Sequence, residues 1–441
     1  MLDWLVIGGG PQGVHLANHL RYNGVCSSRL VILDPHSTPL ARWNHHTTNT
    51  GMTHMRSPLV HSLGIKPFEL ESYVDEPQFK NDKLNLAEGC DEHDFIPPYD
   101  RPSLRLFMHH AQFVVNKAGL MDSWYQGKAE VIESTNNGYQ VKTEKGVVFE
   151  AKNVVLALGI GDQPNWPEWA KVLKQSSDSN GVHHIFDPDF RRDQIATSDN
   201  VTIVGGGISA VQLALTLLEI NPNRQIIIVS HHRLRESDFD SDPGWLGPKY
   251  LEKFNAEQDY AQRRTMIQEA RNVGSLASEV MYSLQIAMHN QKIDWKLVKI
   301  DNVVYNPTSR KVVIRAHCEL DNLETWEADT MVLATGFERK RPGGSFIDNA
   351  IKNLNLPTAA DGFPIVDCFL RWQKGLFVMG PLAELEIGPA SRNISGARMA
   401  AKKIMQSPEA KQFFKIPDYF REHHIVQVTP NLSKSDLNSQ S

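Results

Sequence analysis

The chain opens on Trp4-Leu5-Val6-Ile7-Gly8-Gly9-Gly10-Pro11-Gln12-Gly13, an apolar strand that runs into a glycine-rich turn. Apolar residues at helical spacing follow, and a second apolar strand, Leu30-Val31-Ile32-Leu33, ends at Asp34, twenty-one residues after Gly13. This order predicts a βαβ unit that binds a dinucleotide, because the glycines let a pyrophosphate approach the backbone and the acid accepts from a ribose hydroxyl. The expected contacts are Gly8, Gly10, Pro11, Gln12, Gly13 and Asp34.

The same pattern recurs near the middle of the chain, where Val201-Thr202-Ile203-Val204 leads into Gly205-x-Gly207-x-x-Ala210. Gly205, Gly207, Ser209 and Ala210 are the expected contacts of this second turn. Its second strand ends at Ser230-His231-His232-Arg233-Leu234-Arg235, which lacks the acid that a ribose diol requires. Ser230, Arg233 and Arg235 suit a 2′-phosphate, so NADPH is favoured over NADH, although the arginines could instead be solvated loop charges.

Two such units predict an α/β fold with two Rossmann-like dinucleotide-binding domains, one for FAD and one for NADPH, because the nicotinamide must hand a hydride to the flavin. We expect the FAD domain to be discontinuous, with its first part at 1–162 and its second at 331–428. The NADPH domain is expected at 163–330, with a helical insert at about 245–290. Residues 429–441 are polar and are expected to form a disordered tail.

Composition narrows the class of partner. The 441 residues carry a formal charge of −5 with 22% charged residues, so no basic field exists for nucleic acid or an anionic membrane surface. No apolar run is long enough to span a membrane, and no signal sequence is evident, so we expect a cytoplasmic protein. The four cysteines form no C-x-x-C, and the histidines stand mostly in adjacent pairs whose side chains point apart, so no metal site is expected.

One further segment carries a resemblance to a known family. The pattern Asp329-x-x-x-Leu333-Ala334-Thr335-Gly336-Phe337-x-x-x-x-Pro342 resembles a motif of the class B flavin-dependent monooxygenases, closest to the lysine and ornithine N-hydroxylating branch, with Phe at a Tyr position. Gly207-x-Ser209-Ala210 and Gly375-Leu376-Phe377 are similar to that family as well. The resemblance implies that NADPH reduces FAD and that O₂ then forms a C4a-hydroperoxyflavin, which oxygenates a nitrogen of a small amine or amino acid. Ala334, Thr335 and Gly336 would lie near the cofactor, or would simply form a turn between domains.

The resemblance also implies a set of site residues. Trp43 and Met55 lie in the stretch that the family places over the flavin, and Gly380 and Leu382 would offer backbone amides to it. Arg56 and His61 stand near the positions of a Gln and a substrate-binding Lys in the family, which puts lysine and ornithine as substrates in doubt. Arg56 could bind a carboxylate, NADP⁺ or the reduced flavin, or could be an ordinary surface residue. His61 could move protons, or could be a hydrogen-bonded structural histidine. Asn272 would contact nicotinamide or substrate, or would cap a helix.

Two alternatives to a monooxygenase stay open. The first is an NAD(P)H-dependent flavin reductase or oxidase that passes electrons to another acceptor. The second is a redox-responsive flavoprotein regulator with little turnover. Whether identical subunits assemble is left open as well.

Overall fold

A computed structural model describes residues 1–77, 79–80, 94–175, 181–318 and 322–413 of the chain. The tail expected over residues 429–441 lies outside these ranges. Within them the chain folds into two large sheets flanked by helices, which is the predicted α/β class. In this part of the chain no helix is long and apolar enough to cross a membrane.

The strands alternate with helices along much of the chain. In chain order the strands are β1 Leu2–Ile7, β2 Leu30–Asp34, β3 Phe95–Ile96, β4 Arg101–Pro102, β5 Trp124–Gln126, β6 Ala129–Thr135, β7 Gly138–Thr143, β8 Val148–Leu156, β9 Val182–His184, β10 Asn200–Val204, β11 Gln225–Ser230, β12 Arg235–Glu236, β13 Ser275–Leu276, β14 Ile293–Asn306, β15 Lys311–Cys318, β16 Leu323–Ala328, β17 Thr330–Leu333, β18 Arg371–Gln373 and β19 Leu376–Val378. The α-helices are α1 Pro11–Tyr22, α2 Ala41–Thr50, α3 Glu69–Tyr73, α4 Leu104–Lys117, α5 Glu168–Gln175, α6 Ile208–Ile220, α7 Pro248–Ala256, α8 Tyr260–Ala270, α9 Ser278–His289, α10 Gly344–Leu354, α11 Glu384–Ile387, α12 Ile394–Met405 and α13 Pro408–Lys411.

The first sheet runs β18-β19-β8-β1-β2-β5, with β6 and β7 continuing from β8 as an antiparallel extension. Strands β19, β8, β1, β2 and β5 are parallel. Trp4, Leu5 and Val6 in β1 are fully buried, as expected for a central parallel strand that is covered on both faces. Because β19 comes from residues 376–378, the first unit is built from both ends of the chain.

The second sheet runs β16-β15-β14-β11-β10-β17-β9 and repeats the plan of the first. Strand β10 lies between β11 and β17 and is parallel to both, just as β1 lies between β2 and β8. The expected domain boundary after residue 330 is wrong by a few residues, because Thr330–Leu333 pairs with β10 inside this sheet. The chain leaves the second unit only after Leu333.

Two hydrogen-bonded segments connect the units. Asn165 N donates to Gly336 O at 2.9 Å, and Glu338 N donates to Gln163 O at 2.8 Å. Pro164 and Phe337 form an antiparallel bridge between these two bonds. The outgoing and the returning crossing are therefore side by side.

The helical insert joins the second unit to the first. Helices α7, α8 and α9 occupy the predicted stretch. Trp245, Phe254 and Ile267 of this region share an apolar cluster with Phe363 and Leu385, which belong to the returning part of the first unit. Burial of this cluster fixes the insert against the first unit, since removing apolar surface from water stabilises the packed form.

Candidate functional site

The carboxyl ends of β1, β2, β8 and β19 meet at one edge of the first sheet. The chain order reverses between β2 and β8 on the two sides of β1, which makes this edge a topological switch point. Open α/β sheets bind ligands in the crevice outside such a point. The glycine-rich turn after β1 and Asp34 at the end of β2 both lie there.

The first glycine-rich turn is tight where it faces protein and open where a ligand would lie. Gly8 has φ +115°, and a Cβ there would stand 2.4 Å from the carbonyl oxygen of Ala157. A Cβ at Gly13 would stand 1.8 Å from the Gly8 oxygen, so helix α1 packs directly on the turn. A Cβ at Gly10 would meet nothing within 4 Å. Pro11 begins α1, so its missing N–H costs no hydrogen bond and the next N–H groups face this open side.

Asp34 holds the turn from the neighbouring strand. Its Oδ2 accepts a 2.7 Å hydrogen bond from Gly9 N. Its Oδ1 accepts from His36 N at 2.9 Å and lies 2.8 Å from His36 Nδ1. Only 14% of the carboxylate side chain is exposed, yet carboxylate oxygens have room for more than one donor each, so a ribose hydroxyl can still be bound.

Gln12 connects the turn to residues 391–393 by hydrogen bonds. Its Nε2 donates to Ser391 O at 3.0 Å and to Asn393 O at 3.1 Å. Gly380 packs on the Gln12 side chain, since a Cβ at Gly380 would lie 3.3 Å from Gln12 Cγ. Leu382 is fully buried two residues further on. The structure therefore brings Gln12 and Gly380 together; Gln12 Nε2 is bonded to protein, whereas Gln12 Oε1 is buried without a hydrogen-bond partner among the described residues.

A cleft of about 220 Å³ lies between helix α2, Gly161 and residues 186–191. Its basic lining side chains are His36, Arg42, His45, His46 and Arg191. Arg42 lies near Asp34, forms an ion pair with Asp162, and has its pKa lowered by burial. A cation here suits the pyrophosphate of a dinucleotide. No role for Arg42 was predicted from the sequence, because only the fold brings α2 and Gly161 to one cleft.

Trp43 and Met55 pack behind the turn. Trp43 is partly buried, and its ring centroid lies 5.2 Å from that of Phe107. Met55 is 5% exposed, and its N–H donates to Pro102 O at 2.8 Å. Both side chains belong to the apolar core of the first unit.

The second glycine-rich turn reproduces the first closely. Gly205 has φ +149°, and a Cβ there would lie 2.5 Å from Ala334 O, the equivalent of Ala157 O. Gly205 N donates to Val229 O at 2.8 Å, as Gly8 N donates to Leu33 O at 2.9 Å. Gly207 precedes α6 without a side-chain cap. Ser209 and Ala210 lie in the first turn of that helix, where N–H groups without a helical partner can receive an anion. The N–H of Ala210 already donates to Gly207 O at 3.1 Å.

The three residues expected at the 2′-phosphate differ in how accessible their side chains are to a ligand. Ser230 is buried, and its hydroxyl donates to His232 O at 2.7 Å and accepts from Trp295 Nε1 at 2.9 Å. Arg233 and Arg235 are exposed beyond the end of β11. Ser230 therefore shapes the loop, while the two arginines are accessible to a phosphate.

The Ala334–Gly336 segment forms the returning crossing. Thr335 Oγ1 donates to Asn165 O at 2.5 Å and lies 3.2 Å from His184 Nε2. Burial lowers the pKa of His184 to about 4. Gly336 has φ +76°, a left-handed conformation that favours glycine. This geometry agrees with the alternative that residues 334–336 form a turn between the units. Ala334 also contacts the Gly205 turn.

Arg56 bridges the two units. Its guanidinium donates to Ser237 O at 2.5 Å, to Asp238 O at 3.0 Å, to Asp240 Oδ1 at 2.7 Å and to Ser275 Oγ at 2.7 Å. Burial lowers its pKa, and Asp240 opposes that change. All these acceptors belong to the second unit, so Arg56 reaches across the interface.

His61 lies apart from Arg56, in a group of histidines around Arg398. Burial, with the nearby Arg398 charge, lowers the pKa of His61 to about 4 and of His19 to about 4. The same causes lower the pKa of buried His15, whose Nδ1 lies 3.0 Å from Leu63 O. A neutral imidazole is therefore the stable form of His61 near neutral pH.

Asn272 lies in the turn between α8 and β13. Its amide donates to Ser237 Oγ at 2.8 Å and Phe239 O at 2.9 Å, and its N–H donates to Asp240 O at 2.7 Å. It lines a pocket of about 490 Å³ together with Tyr99, Phe239 and Trp245. Arg56 and Asn272 thus hold the same 237–240 loop. Among the described residues no group of three or more His, Cys, Asp or Glu could hold a metal ion.

Two family models match overlapping parts of the chain. Residues 5–161 match the model of an FAD-NAD(P)-binding family, and residues 100–298 match that of a pyridine nucleotide-disulphide oxidoreductase family. Curated ferredoxin–NADP reductases match locally: that of Albidiferax ferrireducens is 32% identical over 113 residues, 25% of this chain. That of Sulfurisphaera tokodaii is 38% identical over 93 residues, 21% of this chain. The chain covers only 30% and 26% of these two relatives.

Solved structures match over nearly the whole chain. A cadaverine monooxygenase of desferrioxamine biosynthesis from Erwinia amylovora superposes with a TM-score of 0.70 at 14% identity, covering 100% of this chain and 99% of that one. An ornithine hydroxylase from Pseudomonas aeruginosa gives 0.73 at 16% identity, covering 94% and 100%. An L-lysine 6-monooxygenase from Pseudomonas syringae gives 0.68 at 17% identity, covering 94% and 100%.

The fold is therefore that of the flavoproteins with two dinucleotide-binding units. More particularly, it is the fold of the lysine and ornithine N-hydroxylating monooxygenases, as the resemblance of the sequence implied.

Proposed function

We propose that the chain is an FAD-containing, NADPH-dependent monooxygenase that hydroxylates a nitrogen of a small amine or amino acid with O₂. The observation that carries the proposal is the pair of equivalent glycine-rich turns, at Gly8 and Gly205, set within a fold that matches N-hydroxylating monooxygenases from end to end. We propose that residues 1–162 and the part of the first unit that follows Leu333 hold FAD, and that the second unit holds NADPH.

The residues present fit both cofactors. The open space at Gly10 and the cation of Arg42 suit the FAD pyrophosphate, and Asp34 suits its ribose. Gly205, Gly207 and the start of α6 suit the second pyrophosphate, with Arg233 and Arg235 free for a 2′-phosphate. Bound flavin would supply the hydride acceptance and the oxygen activation. The chain contributes orientation and the exclusion of water, as in cofactor enzymes generally.

Several solved relatives support the choice of nitrogen as the acceptor. The matched structures are described as acting on cadaverine, ornithine and lysine, all of which carry a primary amine. One of them, an ornithine N-hydroxylase from Kutzneria, was solved with reduced FAD, NADP⁺ and L-ornithine. Where the resembling family has a Gln and a substrate-binding Lys, this chain has Arg56, which is bonded to the 237–240 loop, and His61. We therefore propose an amine that differs from lysine and ornithine.

The test is a coupled assay of the purified holoprotein. NADPH consumption is followed with a panel of amines, diamines, amino acids and thioethers, and hydroxylated product and hydrogen peroxide are both quantified. We expect one amine class to yield hydroxylamine in near-equal amount to the NADPH consumed. Peroxide alone with every compound would contradict the proposal.

A reductase remains the second candidate, because the local matches to ferredoxin–NADP reductases favour it. Rapid NADPH-driven reduction of ferredoxin or a quinone, with no oxygenated product, would establish it instead. Failure of NADPH to reduce the flavin at all would leave the regulatory flavoprotein.

A further inference from the structure

Two arginines of the first unit lie side by side at its border with the second. Residues 53–55 pair with residues 102–104, since Met55 N donates to Pro102 O at 2.8 Å and Leu104 N donates to Thr53 O at 2.7 Å. Arg56 and Arg101 are the next residues outward on the two segments. We call Arg56 and Arg101 the arginine pair.

Three carboxylates of the second unit lie opposite the arginine pair. Arg101 makes a bidentate contact with Glu279, at 3.0 and 2.6 Å, while its own side chain is only 1% exposed. Arg56 bonds to the Asp240 carboxylate. Asp238 Oδ1 accepts from both N and Oγ of Ser278, so it ties the 237–240 loop to the start of α9. We call Asp238, Asp240 and Glu279 the acid triad.

The opposite charges of the arginine pair and the acid triad favour one docked arrangement of the two units. Neighbouring guanidinium groups repel each other, so each requires a carboxylate from across the border. In the docked arrangement the buried guanidinium of Arg101 is compensated by Glu279, and loss of that carboxylate with the units still docked would leave a buried charge unpaired, which is strongly unfavourable. The planar fork of arginine also fixes direction, because a bidentate contact has a narrow geometry.

On these contacts, and resting on the proposed function, we infer that the arginine pair and the acid triad are positioning residues that dock the NADPH unit for hydride transfer to the flavin. Arg56 thereby acts through the second unit, in place of the direct contact with substrate or flavin that the sequence suggested. The 237–240 loop that Arg56 holds also contains the hydrogen-bond partners of Asn272. It directly follows the segment after β11 that contains Arg233 and Arg235. Displacement of this loop would move the NADPH-binding elements relative to the flavin.

The test measures flavin reduction without oxygen in holoprotein carrying Arg56→Ala, Arg56→Lys or Glu279→Gln. Glu252→Gln, an exposed acid on α7, is the matched control. We expect Arg56→Ala to slow reduction by saturating NADPH about tenfold, the loss of roughly one charge-assisted hydrogen bond. Reduction by dithionite should stay unchanged, Arg56→Lys should be intermediate, and Glu252→Gln should match the wild type. Equal rates for Arg56→Ala and wild type with NADPH would overturn the inference.

A second readout separates this inference from the proposed function. Hydrogen–deuterium exchange should accelerate in residues 235–240 and 272–279 of Arg56→Ala. If NADPH fails to reduce the wild type, the proposed function falls while the exchange readout still decides the docking. Unchanged exchange in Arg56→Ala would refute it.

Discussion

Asp34 closes the first glycine-rich turn by accepting a 2.7 Å hydrogen bond from the N–H of Gly9. The acid at the end of β2 thus braces the turn, in addition to the contact with a ribose hydroxyl that we propose for it. A Cβ at Gly9 would overlap the Trp124 indole, so the turn is held from both sides. The geometry of the pyrophosphate site therefore depends on Asp34 before any ligand arrives.

Replacement of Asp34 should lower the affinity for FAD. We expect Asp34→Ala to weaken binding about ten- to hundredfold, because a hydrogen bond to a charged group contributes about 1.5–3 kcal/mol. Asp34→Asn keeps an acceptor for Gly9 and should lose less. Titration of the apoprotein with FAD, followed by flavin fluorescence, gives the dissociation constants. Wild-type affinity in Asp34→Ala would remove this residue from the site.

Substitutions at Gly10 and Gly13 should separate cofactor binding from folding. Gly10→Val adds a side chain where the chain itself leaves space, so the apoprotein should keep its melting temperature and purify without flavin. Gly13→Ala places a methyl group against the Gly8 carbonyl, and such overpacking typically costs about 1–3 kcal/mol. Its apoprotein should therefore melt earlier. A fully yellow Gly10→Val protein would contradict the assignment of FAD to this turn.

Coenzyme preference should depend on the exposed arginines after β11. We expect Arg233→Ala to raise the KM for NADPH about tenfold while the KM for NADH changes little, since only NADPH carries the 2′-phosphate. Arg315→Ala, an exposed arginine on β15, is the matched control. Steady-state kinetics with both coenzymes measure the effect. Equal changes for NADPH and NADH would show that Arg233 does not contact the phosphate.

Stability should fall in mild acid because of the histidines around Arg398. Burial, first of all, lowers the pKa of His110 to about 4, compared with an ordinary value of 6.5. Between about pH 6.5 and pH 4 the unfolded chain therefore binds a proton at His110 that the folded chain does not bind. The free energy of unfolding is thus highest above about pH 6.5 and declines as the pH falls toward 4. The loss is on the order of 3 kcal/mol for this group.

Urea unfolding between about pH 7.5 and about pH 4.5 measures that decline. Both ring nitrogens of His110 are buried without a partner among the described residues, so His110→Leu should reduce the slope of the pH dependence. His19 and His61, whose pKa is also lowered to about 4, would account for part of the remaining slope. His289→Leu, at the end of α9, should leave the slope as it is. An equal slope in wild type and His110→Leu would exclude His110 as a cause.

The sequence predicted what local patterns control. The two βαβ units, their turns and the acid at Asp34 follow from glycine spacing and apolar periodicity, and these features lie within about thirty residues of one another. The sequence could not predict the acceptors of Arg56, which lie more than 180 residues away. The same holds for Gln12, which meets Ser391 only after the chain has returned.

Ser230 shows a different limit. The residue type and its place after β11 suit a phosphate contact, but its hydroxyl is occupied by Trp295 from the next strand and by the His232 carbonyl. Whether the Ser230 hydroxyl is already hydrogen-bonded depends on which indole packs nearby. Neither residue spacing nor composition predicts that contact. Arg42 is the opposite case, because its role becomes visible only when the Gly161 segment and α2 enclose one cleft.

The adjacent crossings at Gln163 and Glu338 bring the two ends of the second unit together, so the unit is an insertion whose ends already meet. Exchange for the matching unit of a relative would need more than these two joints, because Arg101 and the Trp245 cluster also hold the unit against the first. The second unit and its docking surface therefore form one part, to be recombined together.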